Sequence, residues 1–456
     1  MTLYGYGARS TFNLYGVFDI NNSFMDFFNT AFWSGQYEAF TEWKSVYPPI
    51  LLAILRILLK FIHGSFSIAS PEDLRTKLLI IPSLGLTTYF LTLIYTCSQI
   101  RASILPPLRL VISSFSASLF FFPSIIFLFE RLNTFIIIIC ILTFAVGYLM
   151  IDESIALPRL GVLFIPTHNF RYPFSLSSSS TSRLIILSSL LFLCCLIKPY
   201  FWISLCLFNL LTRKLKSAIT HLCFLLFLFC SLNSLPFALG LYNGDFPSTW
   251  LHNLSSFSSD SHFLFYSSAH SLSPQWVSLA TLSLQKHVSL IESYPTNAIL
   301  LIGSILQVAF LVISISMIII YIHMCINTAI DDTTQAIRAA FQVSLLPIII
   351  FTLFSPIWGS YVYSLIIPFI LAGVKDKLVG VTNISLKSLF IRGTSLPLFL
   401  SFSFLCMFGL SSVSLSSLSY TFTLRILAFA SYVSIMLSFY LPLNLMRKEL
   451  SCFSDF

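Results

Sequence analysis

Apolar runs long enough to cross a bilayer recur from residue 50 to residue 446, and no stretch between them is large enough for a soluble domain. Each crossing takes about 20 predominantly apolar residues. The expected fold is therefore all-α, a polytopic transmembrane helical bundle of about 10–12 membrane segments, some short or re-entrant. The whole of 1–456 reads as a single integral membrane domain without linkers. Composition agrees, because the chain is 57% hydrophobic and only 9% charged, whereas a soluble domain carries about 25% charged residues. The expected location is a membrane crossed many times, the plasma membrane if the source is bacterial.

The formal charge of +8 is spread thinly. It fits loop charges that set orientation and gives no basic face for nucleic acid. The cysteines sit mostly inside apolar runs, as Cys140, Cys194, Cys195, Cys206, Cys223 and Cys230 do, and none forms a close-spaced metal pair; they read as small core residues. Residues 1–25 lack the basic flank and apolar core of a cleavable signal.

In chain order, residues 1–49 read as a polar and aromatic outer loop, in which Asp26, Glu38 and Glu42 stand among Trp33, Tyr37, Trp43 and Tyr47. Candidate spans follow at 50–62, with Arg56 and Lys60 in it, at 78–97, at 105–129 with Pro123, and at 134–150. Residues 152–183 are mixed, with a serine run at 177–180 that reads as a loop. The run 184–211 is too long for one crossing and is interrupted by Ile197-Lys198-Pro199, which predicts two short helices meeting at Lys198. Arg213, Lys214 and Lys216 mark a cytoplasmic turn. After a span at 218–241, the polar stretch 242–296, rich in Ser and His and poor in Lys and Arg, reads as an outer loop. Further spans are 297–324, 340–354, 358–374, 395–415 and 422–446. Upstream the alternation does not close. Asp26, Arg131 and Lys198 share the outer face only if 50–62 or the Pro123 segment fails to cross.

Among the ionisable groups, Asp26 lies between Phe24, Phe27 and Phe28. Apolar surroundings press a carboxylate towards its neutral form, which suits a general base; a capping aspartate at a helix start is the plainer alternative. Lys198 interrupts an apolar run, where an ammonium is expensive and is usually paired or functional, or else snorkels to the rim. Arg131 and Asn133 lie between two apolar stretches, and Arg131 serves either the same anion as Lys198 or its neighbour Glu130. The histidines and aspartates of 242–296, Asp245, His252, Asp260, His262, His270 and His287, match no metal-ligand spacing.

Taken in order, several of these pieces resemble the C-superfamily (GT-C) of polytopic glycosyltransferases, most closely the family 87 type of polyprenyl-phosphate-mannose-dependent mannosyltransferases. They are D-F-F at 26–28, Y-P-P at 47–49, F-E-R-x-N at 129–133, K-P-Y at 198–200 with R-K at 213–214, and S-P-x-W-x-x-Y at 355–361, with H-S-L at 270–272 a fainter echo. The pieces are short and extend over most of the chain. Two departures stand out: Leu132 occupies the place of a usual glycine, and residues 1–25 are too polar to supply the membrane helix that relatives usually carry before the aspartate. These point either to a chain that starts within a longer one or to a divergent or inactive member.

The resemblance implies transfer of a sugar, mannose or another hexose, from a polyprenyl-phosphate donor to a hydroxyl of a glycan or glycolipid acceptor on the outer face, with inversion. It assigns Asp26 as the catalytic base. Lys198, Arg131, Asn133, Tyr47 and His270 are its donor-phosphate and substrate contacts. No cofactor or metal is implied, and the remaining partners are membrane lipids. A lipid or sugar transporter and a non-catalytic relative of the enzyme are the competing expectations. The transporter predicts internal repeats, and none is evident between the two halves.

Overall fold

The computed structural model describes residues 25–63, 80–102, 128, 133–150, 178–259, 312, 333–354, 364–365, 367–369 and 371–372. Every regular element among them is helical. In order these are α1 (Met25–Gly35), α2 (Pro49–His63), α3 (Ile80–Ala102), α4 (Phe135–Leu149), α5 (Ser178–Ile197), a 3-10 turn (Pro199–Phe201), α6 (Trp202–Thr212), α7 (Leu215–Ala238), α8 (Ser248–Ser259) and α9 (Thr333–Phe354).

The break after α5 has a local cause. A residue before proline is biased out of the helical region, and Lys198 is extended, at φ −138° and ψ 104°, with Pro199 opening the next turn. Lys198 still closes α5, its N–H donating to the Cys194 carbonyl at 2.8 Å, while its own carbonyl accepts from Phe201 N–H at 3.1 Å. The reading of 184–211 as two helices meeting at Lys198 therefore agrees with the fold. α4 is rich in β-branched isoleucine and yet helical, because nearly all of its side chains are buried and tertiary packing outweighs propensity. It lies between α3 and α5, with α9 across α6.

Three sequence readings need correction. Residues 25–35 are helical rather than loop, and Asp26 stands in the first turn of α1, where the unpaired N–H groups of a helix start favour an anion. The serine run belongs to α5, which begins at Ser178. The polar stretch after 242 contains α8, whose start is built by Asp245: its carboxylate accepts from Ser248 and, at 2.6 Å, from Thr249 Oγ1. These bonds hold the Asp245 carboxyl below its usual range.

α7, 24 residues with mean hydropathy 1.9 in its most apolar window, is long and apolar enough to cross a membrane, and among the described residues it alone meets that measure. It turns Leu215, Ile219, Phe224 and Phe227 to the surroundings, the last 71% exposed. α2 has 15 residues, about 22 Å of helix against a hydrocarbon layer of about 30 Å. It runs in the same direction as the end of α7: Ile50 N–H donates to Asn233 Oδ1, and Arg56 Nη1 donates to the Leu241 carbonyl at 2.6 Å. The spans read at 105–129, 297–324, 395–415 and 422–446 lie outside the described residues apart from single positions, as does most of 358–374.

Candidate functional site

Asn133 stands just ahead of α4, and its side chain faces two ways. Its Oδ1 accepts from Phe135 N–H at 3.0 Å, and its Nδ2 donates to Asp26 Oδ2 at 2.9 Å. The first bond fixes the amide's orientation, so the second follows: only the nitrogen is left to meet the carboxylate. Asn133 is buried, which makes an exchange of these partners for water costly.

Tyr47 closes the site from the turn between α1 and α2. Burial, and then the charge of Asp26, push its phenol up to about 12, with the neighbouring polar side chains of Thr30, Asn133 and Thr134 working the other way. Its hydroxyl is therefore neutral and able to donate. Thr134 stands beside it, with its buried Oγ1 outside hydrogen-bond geometry. Trp33 flanks the Tyr47 ring, centroids 6.3 Å apart.

The Lys198 ammonium lies over the Tyr47 ring, 4.5 Å from its centroid, within the range of a cation–π contact. Burial brings its pKa down to about 8, and the Asp26 carboxylate opposes that shift. The side chain nevertheless keeps some accessible surface. Phe135 and Phe201 meet nearby at 6.4 Å, joining the start of α4 to the break that carries Lys198.

Four of the six residues singled out from the sequence, Asp26, Tyr47, Asn133 and Lys198, thus come together from three distant stretches. Arg131 and His270 lie outside the described residues. Glu42 is exposed and Glu38 half-buried on the turn after α1. Among the described residues no three His, Cys, Asp or Glu side chains converge as a metal would need.

The sequence reading missed the residues that hold the turn in place. Asn253 Nδ2 donates to the Phe40 carbonyl at 2.7 Å and to the Ser45 carbonyl at 3.3 Å, and Trp250 Nε1 donates to the Val46 carbonyl at 3.1 Å. Tyr242 OH donates to the Ser34 carbonyl at 3.1 Å. Each bonds a backbone group, so no residue type in 34–46 announces the contact. Asn233, an amide within a long apolar helix, was the one visible signal, since a buried amide must find partners.

Compared with known protein families, with curated proteins and with solved structures, the chain matches none.

Proposed function

We propose that this chain is a multi-pass membrane glycosyltransferase of GT-C type that moves a hexosyl group from a polyprenyl-phosphate carrier to an acceptor hydroxyl at the outer face. The observation that carries the reading is that Asp26 and Lys198 act on one another electrostatically, with Asn133 orienting the first and Tyr47 lying under the second. A carboxylate and an ammonium held a short way apart meet the two electrostatic needs of the reaction. Asp26 takes the acceptor proton as the new bond forms at the anomeric carbon. The bond from that carbon to the carrier phosphate breaks at the same time, its electron pair leaves with the phosphate, and Lys198 stabilises the charge that develops.

The membrane part of the proposal is supported by the apolar length of α7, with Arg213, Lys214 and Lys216 at one end of it and the residues that hold α1 and α2 at the other. The shortness of α2 and its course alongside the last turns of α7 favour it as the upstream segment that does not cross. With α2 removed from the count, Asp26, Arg131 and Lys198 fall on one face.

Sugar transfer from a synthetic polyprenyl-phosphate-hexose to a hydroxyl acceptor, measured beside donor binding in detergent, tests the assignment. Asp26→Asn keeps the shape and removes the base, so transfer should fall by roughly 10²-fold or more while donor binding survives. Lys198→Ala should weaken binding and rate together, because the phosphate is charged before the reaction as well as during it. Transfer near the wild-type rate by Asp26→Asn would move the base role to Glu38 or Glu42, and absence of transfer by the unmodified chain with every hexose donor would favour the non-catalytic reading.

A further inference from the structure

The turn from Gln36 to Pro48 carries Tyr47 onto Lys198, and its path contains a left-handed residue that is not glycine. Lys44 has φ +47°, a conformation that costs an L-residue with a side chain of this kind free energy and persists only where the surroundings over-determine it. The Lys44 side chain is exposed, so nothing in its own packing enforces the angle. The enforcing contacts come from α8. Asn253, 3% exposed, places one amide nitrogen between the carbonyls of Phe40 and Ser45, and so bridges the two sides of the segment containing Lys44. Trp250 then holds the Val46 carbonyl, one residue before Tyr47. Within the turn, Ser45 N–H closes on the Ala39 carbonyl at 2.9 Å.

We propose that α8 is the positioning element of the site and that Asn253 is its positioning residue: by locking the strained turn at Lys44 it sets the Tyr47 ring against Lys198 and holds the ammonium under it, shielded from water. The functional weight of this inference rests on the transfer reading above, but its geometry does not. It also gives the polar stretch after 242 a role, since α8 reaches the site through backbone groups of another segment. The charged and titratable groups that act on Lys198 among the described residues are Asp26, on α1, and Tyr47, on the turn.

The test reads Lys198 directly and needs no transfer activity. The full chain in detergent is trace-labelled with acetic anhydride over a pH series, and the extent of acetylation at Lys198 is followed by mass spectrometry of its peptide. The unmodified protein should show a midpoint near 8, and Asn253→Leu, which keeps the branching of the side chain and removes the donor, should move it towards the ordinary 10.5 as water reaches the ammonium. Labelling at mildly alkaline pH then falls by roughly tenfold. Trp250→Phe removes one N–H and keeps the ring stacked on Phe246 at 5.5 Å; it should shift the midpoint the same way by less, and it decides the matter if Asn253→Leu does not fold. Lys44→Gly, which removes the strain, should restore the midpoint when combined with Asn253→Leu. An unchanged midpoint in the folded variants overturns the proposal. So does a shifted midpoint that Lys44→Gly leaves where it was, because then the turn was not the link. If the unmodified protein transfers no sugar and the midpoint still moves as described, the transfer reading fails and the positioning stands.

Discussion

The contact between α3 and α4 and the contact between the α1–α2 turn and α8 differ in what dominates them. α3 and α4 meet by close approach: a Cβ added at Gly147 would stand 2.6 Å from Tyr95 Cε1 and 2.8 Å from Thr96 Oγ1. The nearby polar bond is Thr96 Oγ1 to the Thr143 carbonyl at 2.7 Å, and Tyr95 stacks on Phe144 at 5.6 Å. The turn and α8 instead meet through side-chain donors that end on backbone carbonyls, with the aromatic rings of Phe40, Phe237 and Tyr242 packed behind them. Close approach makes a rigid scaffold but says little about where a loop must run. Directed bonds to backbone groups fix a path atom by atom, which a site built on a loop requires.

The largest effect is expected at Gly147. Gly147→Leu must displace Tyr95 or pull Thr96 from the Thr143 carbonyl, and overpacking of this kind costs about 1–3 kcal/mol, occasionally more. Gly147→Ala should cost less, because a single methyl has only the Tyr95 ring edge and Thr96 Oγ1 to move. Denaturation midpoints in detergent measure both. The loss should be one of stability, with the Lys198 labelling profile of the surviving folded protein unchanged. A shifted profile would mean that the scaffold and the turn are coupled and that the contrast between them is false.

How far each region could be read in advance follows from the same contrast. Apolar length announced α4 and α7, and the Lys198-Pro199 pair announced the break between α5 and α6, because those signals are local. Asp26, Tyr47, Asn133 and Lys198 were each visible as polar groups in apolar or aromatic surroundings. Their meeting was expected from the resemblance rather than from any spacing. The helix at Met25–Gly35 was missed because Asp26, Asn29 and Ser34 mix polar with aromatic residues and give no clear helical stripe; its buried face of Phe27, Phe28, Ala31 and Ser34 emerges only against the partners it packs on. Asn253 and Trp250 lay beyond any sequence argument, since what they recognise is a chain path and not a residue.

A smaller effect comes from the charge held against Tyr47. The Lys198 pKa in the folded protein lies near 8, below its ordinary 10.5. Between those values the unfolded chain binds more protons than the folded one, so stability should rise as pH climbs through the window and level off above it. Below about pH 8 both states carry the charge, and the cost of burying it is constant. The rise should be on the order of 1–2 kcal/mol, discounted for the accessible surface that Lys198 keeps. Lys198→Met should flatten it. On the proposed transfer reading, donor binding should run the other way with pH, weakening as the ammonium is lost, with a bound phosphate itself holding the proton and moving that loss upward. A slope in stability that survives Lys198→Met would assign the titration to another group.

The smallest change separates the two faces of Tyr47. Tyr47→Phe removes the hydroxyl that meets Thr30 and Asn133 but leaves the ring under Lys198. Asn133 keeps its bonds to Phe135 N–H and Asp26, so its amide is not stranded. The expected loss of stability is therefore below about 1 kcal/mol, less than that of one well-made buried hydrogen bond, and the Lys198 labelling midpoint should stay where it is. Tyr47→Leu takes away the ring as well and with it the cation–π contact, worth about 0.5–2 kcal/mol to the charged form. Its loss alone would lower the Lys198 pKa, whereas letting water reach the ammonium would raise it. The direction of the midpoint in Tyr47→Leu therefore tells which of the two the turn contributes. A fall means that the ring holds the cation by its face, and a rise means that the turn chiefly excludes water, which is the role the bonds from α8 require of it.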